Sequence, residues 1–164
     1  MQNKTQKIVL SSLLAALVCV ATMIIKVPSP LKGYVNLGDC VVLLSGWVLS
    51  PAYAFLTAGI GSALADILLG YITYAPATFL IKGIMALICC YSAKLFKKKP
   101  FATRLIGALA AEIVMVGGYF VFEGFLYGFA ASLVNIPANA VQGAFGIIFG
   151  LMLVKVFEKS DIAK

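Results

Sequence analysis

Seven polar or charged side chains interrupt the long apolar stretches of this sequence. They are Asp66, Lys82, Glu112, Glu123, Asn135, Asn139 and Gln142. A charged side chain within a membrane helix costs about 2.5–3.5 kcal/mol on insertion scales, so such residues generally bind something or pair with one another. Carboxyl and amide groups can hydrogen-bond the edge of a polar ring, and Lys82 can meet a phenolate. The residue types therefore favour recognition of a small polar molecule.

The spacing of these residues places them on shared helix faces, because residues three or four apart are neighbours on a helix. The aligned sets are Glu112, Val116, Tyr119 and Glu123; Asn135, Asn139, Gln142 and Gly146; Thr78 and Lys82; and Ser62 and Asp66. Lys82 lies six residues inside its helix, at a depth of about 9 Å. Four helices thus bring polar groups to a similar depth, with Glu112 deeper, and a pocket between them is predicted.

Two other interpretations of the same residues are structural. Lys82 can pair with Asp66 or Glu123 to neutralise charge between helices, because unpaired charges in lipid are rare. The amides can act as hydrogen-bonding links between helices. Both interpretations are compatible with a pocket, since the groups that line a pocket also hold one another in place.

Catalysis and metal binding are not expected. The chain has no histidine, its four cysteines lack C-x-x-C spacing, and it has no phosphate-binding loop. Gly59 and Gly61 lack the third glycine of a dinucleotide turn. We therefore expect no enzyme activity, no metal and no cofactor. The net charge of +7 does not indicate nucleic acid, because the basic residues other than Lys82 lie at or near helix ends.

The elements that must position these side chains are membrane helices. Of 164 residues 62% are hydrophobic and only 12% charged, and the mean hydropathy is +1.04, whereas a soluble domain carries about 25% charged residues. We predict an all-α, polytopic, six-helix transmembrane bundle in one domain, and no cleaved signal peptide. The predicted spans are 7–26, 39–49, 51–69, 76–96, 103–123 and 134–157, with a glycine- and aromatic-rich turn at 124–133. Span 2 is short for a full crossing.

Basic residues in short loops predict the orientation. With the N-terminus inside, ten basic residues are cytoplasmic and two, Lys26 and Lys32, are outside. The ten are Lys4, Lys7, Lys94, Lys97, Lys98, Lys99, Arg104, Lys155, Lys159 and Lys164. The prediction is a multi-pass protein of the cell membrane with both termini cytoplasmic, surrounded by the lipid bilayer.

The stretch 27–39 is the longest polar interruption, and its prolines and glycines make it a poor helix and a poor strand. Residues 27–38 are predicted to form an outer loop that acts as a lid over the pocket. Asp39 either caps span 2 or contacts ligand. The predicted substrate-binding residues are Tyr34, Asn36, Asp66, Tyr74, Thr78, Lys82, Tyr119, Glu123, Asn139 and Gln142.

Span 1 carries small residues at four-residue spacing, which gives the helix a flat face. Ser11 precedes Ala15, and Ser12 precedes Ala16. Flat faces let another helix approach closely. The neighbouring helix belongs either to this chain or to a partner protein.

Several segments together resemble the substrate-binding S components of energy-coupling factor (ECF) vitamin transporters. They are 34–39 (Tyr-Val-Asn-Leu-Gly-Asp), 62–71 (Ser-Ala-Leu-Ala-Asp-Ile-Leu-Leu-Gly-Tyr), 75–83 (Ala-Pro-Ala-Thr-Phe-Leu-Ile-Lys-Gly) and 135–143 (Asn-Ile-Pro-Ala-Asn-Ala-Val-Gln-Gly). The resemblance implies a subunit that captures a vitamin outside the cell and docks on an energising module of one transmembrane T subunit and two ATP-binding subunits. It also implies docking through span 1, where serines at 11 and 12 replace the first alanine of the family's Ala-x-x-x-Ala motif.

Within that family the sequence is most similar to the branch for small hydroxylated rings, pyridoxine or hydroxymethylpyrimidine. An S component for another vitamin, such as pantothenate, is an alternative. A second alternative is a stand-alone secondary transporter with Asp66, Glu112 and Glu123 as a proton relay. A third is a scaffold protein whose polar residues only link helices.

Overall fold

Helices make up nearly all of the chain that the computed structural model describes, which is residues 3–28, 34–95 and 100–160. A helix hydrogen-bonds its own backbone N–H and C=O groups, so it is the secondary structure favoured in apolar surroundings. The elements are α1 (Lys4–Ile24), β1 (Lys26–Pro28), β2 (Tyr34–Asn36), α2 (Gly38–Val48), α3 (Pro51–Leu68), α4 (Ala75–Leu95), α5 (Pro100–Tyr127), α6 (Phe129–Ser132), a 3-10 turn (Leu133–Asn135) and α7 (Ile136–Lys159). The predicted all-α membrane bundle is confirmed.

Five helical segments are long and apolar enough to cross a membrane. They are Lys4–Ile24, Pro51–Leu68, Ala75–Lys94, Pro100–Tyr127 and Phe129–Lys159. Their outward faces carry exposed apolar side chains such as Leu13, Ile113 and Val156. A bilayer accommodates such faces, whereas water would not.

Helix α2 is the short central element of the bundle. Its 11 residues span about 16 Å, roughly half of a bilayer's apolar core. It packs against α1, α3, α4 and α7, and every residue from Gly38 to Gly46 is buried. Protein rather than lipid therefore surrounds most of α2, which removes the need for a full membrane length.

The segment after α1 contains strands, contrary to the expectation of a loop without regular structure. β1 and β2 pair antiparallel, with Lys26 opposite Asn36 and Pro28 opposite Tyr34. Proline is tolerated here because a two-stranded sheet leaves one side of each strand unpaired. Residues 29–33 of the predicted lid, and 97–99 of the basic loop, lie outside the described residues.

The predicted turn at 124–133 is also different, because this segment is mostly helical. α5 continues to Tyr127, and α6 follows after Gly128, whose φ of +92° suits glycine. The ring of Phe129 lies 5.8 Å from that of Phe125 and 5.7 Å from that of Phe120. These aromatic contacts hold α6 against α5, so the aromatic residues stabilise helix here.

Two helix ends depart from the predicted spans for local reasons. α1 begins earlier because Asn3 and Gln6 form reciprocal side-chain to backbone hydrogen bonds of 2.8 and 2.9 Å, a capping box. α5 begins at Pro100, before the predicted start at 103. Proline suits the first turn of a helix, where its missing N–H removes no hydrogen bond.

The contact between α2 and α4 depends on Gly46. A Cβ atom there would lie 2.5 Å from the Ala86 carbonyl oxygen and 2.6 Å from Cys89 Cβ. We expect Gly46→Ala to lower the free energy of unfolding in detergent by about 1–3 kcal/mol, as overpacking does. Gly117→Ala is the matched control, because no atom lies within 4 Å of its added Cβ. Equal stability of the two variants would contradict this packing.

Candidate binding site

A cavity lies at the end of the bundle where the β-hairpin covers the helices. It holds about 480 Å³ of space free of protein atoms, part of it continuous with solvent. It is lined by Thr22, Tyr34, Asn36, Ser62, Asp66, Tyr71, Tyr74, Thr78, Lys82, Tyr119, Glu123, Asn139 and Gln142. All ten residues predicted to bind substrate are therefore brought together around one cavity.

The hairpin closes one side of the cavity through strand β2. The Tyr34 hydroxyl donates to Asp66 Oδ1 at 2.5 Å, and its ring lies 4.8 Å from that of Tyr71. The Asn36 backbone N–H donates to Gln142 Oε1 at 2.9 Å. Burial, reinforced by Asp66, raises the pKa of the Tyr34 hydroxyl above its ordinary value, so this tyrosine stays a neutral donor. The hairpin is thus bonded to α3 and α7.

The floor of the cavity is organised by Asp39, in the first turn of α2. Its carboxylate forms a salt bridge with Lys82 of α4 and accepts a 2.6 Å hydrogen bond from Gln142 Nε2 of α7. The Lys82 ammonium also lies 5.5 Å from the centroid of the Tyr119 ring. Three helices are therefore joined through one buried carboxylate.

This arrangement corrects two expectations. Lys82 pairs with Asp39 rather than with Asp66 or Glu123. Asp39 does not cap α2, because Leu37 occupies the N-cap position. The reason is geometric: α2 begins one residue before Asp39 and packs against α4 and α7, so its first turn faces Lys82 and Gln142.

The wall formed by α4 and α5 presents hydroxyls and a carboxylate. Thr78 Oγ1 and the Tyr119 hydroxyl lie 3.1 Å apart. Glu123 Oε1 accepts from Asn135 Nδ2 at 2.8 Å and from the Tyr74 hydroxyl at 3.4 Å. Such convergent polar groups in a cleft are typical of small-molecule sites.

Two carboxyl groups of the lining retain hydrogen-bonding capacity. Among the described residues, no side chain or backbone group hydrogen-bonds Asp66 Oδ2 or Glu123 Oε2, although both atoms are buried. Leaving a buried acceptor unsatisfied costs about 1–3 kcal/mol. A ligand with suitable donors would recover that energy.

Glu112 does not line the cavity. Its side chain packs below the floor, where a Cβ added at Gly143 or Gly146 would lie 3.1 or 2.8 Å from its carboxyl oxygens. Both oxygens are buried without a hydrogen bond from the described residues. Its position outside the lining separates it from the predicted relay partners Asp66 and Glu123.

Three lining residues were not among the predicted ones. Ser62 lies one turn before Asp66 on the same face of α3, and that spacing was a usable signal. Tyr71 lies in an aromatic loop that is equally typical of a membrane interface. Thr22, near the end of α1, had no distinguishing signal in the sequence.

The small residues of α1 divide into two groups. Ser11 and Ala15 are half-buried against α3, where the Thr57 hydroxyl donates to the Ser11 carbonyl oxygen at 3.3 Å. A Cβ added at Gly61 of α3 would lie 2.5 Å from the Ala15 carbonyl oxygen. Ser12 and Ala16 are exposed. Only the second pair is therefore open to a partner protein.

Within residues 3–28, 34–95 and 100–160, no group of three or more histidine, cysteine, aspartate or glutamate side chains could hold a metal ion. The four cysteines are all buried as free thiols.

Two solved structures share this fold. The S component of a bacterial ECF transporter superposes with a TM-score of 0.74 and 24% identity, covering 96% of this chain and all of that one. The S component for biotin from an ECF-type ABC transporter gives a TM-score of 0.70 and 15% identity, covering 98% and 96%. At these identities the likeness concerns the fold alone.

Sequence relatives also cover nearly the whole chain. An uncharacterised protein of Pyrococcus woesei is 34% identical over 143 residues, 87% of this chain and 95% of that protein. The thiamine precursor transporter HmpT of Lactococcus lactis subsp. cremoris is 25% identical over 169 residues, 99% of this chain and 94% of that protein.

The family match extends over almost the same length. The family described as the ECF-type riboflavin transporter S component matches residues 2–159. Its members are multi-pass membrane subunits for vitamin transport and not enzymes. Together with the helical bundle and its cavity, this match identifies the chain as a member of the ECF-type transporter S components.

Proposed function

We propose that this chain binds a small hydroxylated ring, pyridoxine or hydroxymethylpyrimidine, outside the cell and delivers it to an ATP-driven ECF module. The observation that carries this proposal is the cavity beneath the hairpin, around which ten predicted polar side chains converge. Hydroxyls and carboxyls suit a ring with hydroxyl, amine and ring-nitrogen groups, and the tyrosines offer faces for stacking.

The choice of ring is supported by one relative. HmpT bears the name of a thiamine precursor transporter and aligns over 99% of this chain. The family as a whole is named for riboflavin, so riboflavin belongs among the compounds to be tested.

The orientation in the proposal follows the distribution of basic residues. The hairpin and cavity lie at the outer side, with both termini cytoplasmic. Lys4, Lys94 and Arg104 lie near helix ends opposite the hairpin. Ligand then enters from outside, and the hairpin acts as the lid that excludes water after binding.

The energising module in the proposal consists of one transmembrane T subunit and two ATP-binding subunits. Ser12 and Ala16, the exposed small pair of α1, form the proposed contact with the T subunit. Small residues allow close approach of a second helix in the membrane.

Ligand-dependent stabilisation tests the proposal. The purified chain in detergent is screened by thermal shift against riboflavin, thiamin, pyridoxine, hydroxymethylpyrimidine, pantothenate, biotin, niacin and folate. A specific ligand at 100-fold excess over its Kd stabilises by about 2.7 kcal/mol. We expect hydroxymethylpyrimidine or pyridoxine to give the largest shift. No shift with any compound, in protein that unfolds cooperatively, would contradict a vitamin-binding role.

Removal of the Glu123 carboxyl is expected to weaken binding. Glu123→Ala deletes an acceptor at the cavity wall, and we expect the Kd to rise about 10- to 100-fold, as for loss of a hydrogen bond to a charged group. Isothermal titration calorimetry gives the Kd. Glu158→Gln is the control, because Glu158 pairs with Arg104 outside the cavity. Unchanged affinity of Glu123→Ala would remove Glu123 from the site.

A further inference from the structure

Among the described residues that line the cavity, Lys82 is the one with a basic side chain, and its contacts show how that charge is balanced. The Lys82 side chain is only 3% exposed and its ammonium pairs with Asp39 Oδ1. Asp39 is 0% exposed and is not part of the lining. The positive charge is therefore neutralised from behind the cavity, away from where a ligand would lie.

The Asp39 carboxylate also accepts a hydrogen bond from the side-chain amide of Gln142, at the floor of the cavity. Gln142 donates through Nε2 to Asp39 Oδ2 at 2.6 Å, and its Oε1 accepts from the Asn36 backbone N–H at 2.9 Å. Both the ammonium and this amide thus have protein partners. The positive charge at the floor is therefore balanced by the protein before any ligand binds.

Two carboxyl oxygens of the lining, on two different walls, are buried acceptors without a hydrogen bond from the described residues. Asp66 is carried by α3 and Glu123 by α5, the two helices that flank α4. One oxygen of each accepts a hydrogen bond from the protein, whereas Asp66 Oδ2 and Glu123 Oε2 accept none from the described residues. Two separated acceptors require two separated donors on the ligand.

We propose that this site selects an uncharged or cationic flat heterocycle with N–H or O–H donors on two edges, and that Asp39 sets this preference by neutralising Lys82. This inference rests on the proposed function and narrows it to amine- or alcohol-bearing rings over carboxylate-bearing ones. Asp39 acts as a positioning residue, since it reaches the ligand only through Lys82 and Gln142.

A carboxylate on the ligand would meet an unfavourable site. It would lie near Asp66 and Glu123, and Lys82, the basic residue of the described lining, is already paired with Asp39. Like charges in a site of low dielectric repel strongly, and the charge of the ammonium is already balanced by Asp39. The same site satisfies a ring amine or alcohol directly.

The test uses three ligands on one ring, titrated calorimetrically into the full chain in detergent. They are hydroxymethylpyrimidine, the analogue with hydrogen in place of the ring amino group, and the analogue with a carboxylate in place of the hydroxymethyl group. We expect each analogue to bind about 10- to 100-fold more weakly, because each leaves an acceptor unpaired or adds a repelled charge. Pyridoxine and its carboxylate analogue form a second pair with the same expectation.

The variant Asp39→Asn tests whether Asp39 sets the charge preference of the site or only supports its structure. Freeing the Lys82 ammonium should improve carboxylate binding relative to alcohol binding, so the affinity ratio of alcohol to acid should fall at least about tenfold. Glu158→Gln, which removes a negative charge outside the cavity, should leave the ratio unchanged. A merely structural Asp39 would weaken both ligands equally. If Asp39→Asn does not fold, the ligand series on the native chain still decides the preference.

The outcomes separate the two proposals. Equal affinity for the alcohol and acid forms, or tighter binding of the acid, would overturn the charge preference while leaving a vitamin-binding subunit in place. An unchanged affinity on removal of the ring amine would overturn the two-donor requirement. If none of these rings and no vitamin of the thermal-shift panel binds, the proposed function fails, and this inference fails with it.

Discussion

Replacing Lys82 with methionine is expected to lower the free energy of unfolding by about 3–5 kcal/mol, because it leaves the Asp39 carboxylate buried without its counter-charge. Asp39 is 0% exposed, and once Lys82 is replaced Gln142 is the side chain that still hydrogen-bonds its carboxylate among the described residues. Ligand binding should be lost as well, since the floor of the cavity rearranges. Denaturation in mixed detergent gives the stability, and calorimetry gives the affinity.

The matched variant combines Lys82→Met with Asp39→Leu, which removes both charges together. Apolar replacement of a whole buried ion pair is often neutral or stabilising, unlike removal of one partner. We therefore expect the double variant to recover most of the lost stability. If Lys82→Met alone were as stable as the unmodified chain, the salt bridge between α2 and α4 would not have the role assigned to it.

Substitution of Ser12 by leucine is expected to abolish transport and leave ligand binding unchanged within about twofold. Ser12 is exposed on α1, away from the cavity lining. A leucine on this flat face would prevent close approach of a partner helix, since small residues are what allow such approach in membranes. Uptake by cells that express the energising module, and calorimetry on the purified chain, measure the two properties separately.

Ala110→Leu is the control for Ser12→Leu. Ala110 is likewise small and exposed, but it lies on α5. Its variant should bind and transport normally. Normal complex formation and transport by Ser12→Leu would rule out this face of α1 as the docking surface and direct attention to other exposed helices.

Helical periodicity was sufficient to find the cavity. Residues three or four apart share a face, and each of α3, α4, α5 and α7 carries its polar residues on one such face. Asp66, Lys82, Glu123 and Gln142 therefore meet around one space. The cost of polar groups in lipid makes this signal strong, because few such residues occur by chance in a membrane helix.

Pairing within the cavity was not predictable in the same way. The partner of Lys82 depends on where α2 begins and on how it packs against α4. Three acids, Asp39, Asp66 and Glu123, are all compatible with the spacing. Only the arrangement in space selects Asp39.

The hairpin and the helical segment after α5 were not predicted from the sequence, for a different reason. Composition made 27–39 and 124–133 resemble loops, because both contain glycine. Pairing between β1 and β2, and the packing of Phe129 against Phe120 and Phe125, override that local preference. These are tertiary contacts, which intrinsic propensity does not include.

The sequence alone did not predict which face of α1 packs against α3. Two small-residue pairs, one residue apart, have the same spacing. α3 occupies the Ser11 and Ala15 pair, whereas Ser12 and Ala16 remain exposed. The sequence predicted two possible neighbours for this helix, and the structure assigns one face to α3.

Transport by proteoliposomes tests the central proposal most directly. Vesicles containing this chain alone, or this chain with the T subunit and the two ATP-binding subunits, are supplied with labelled hydroxymethylpyrimidine or pyridoxine. We expect the chain alone to bind the label without accumulating it, and the full complex to accumulate it only with hydrolysable ATP. Sustained accumulation by the chain alone, without ATP and abolished by a protonophore, would contradict the proposal and favour a stand-alone secondary transporter.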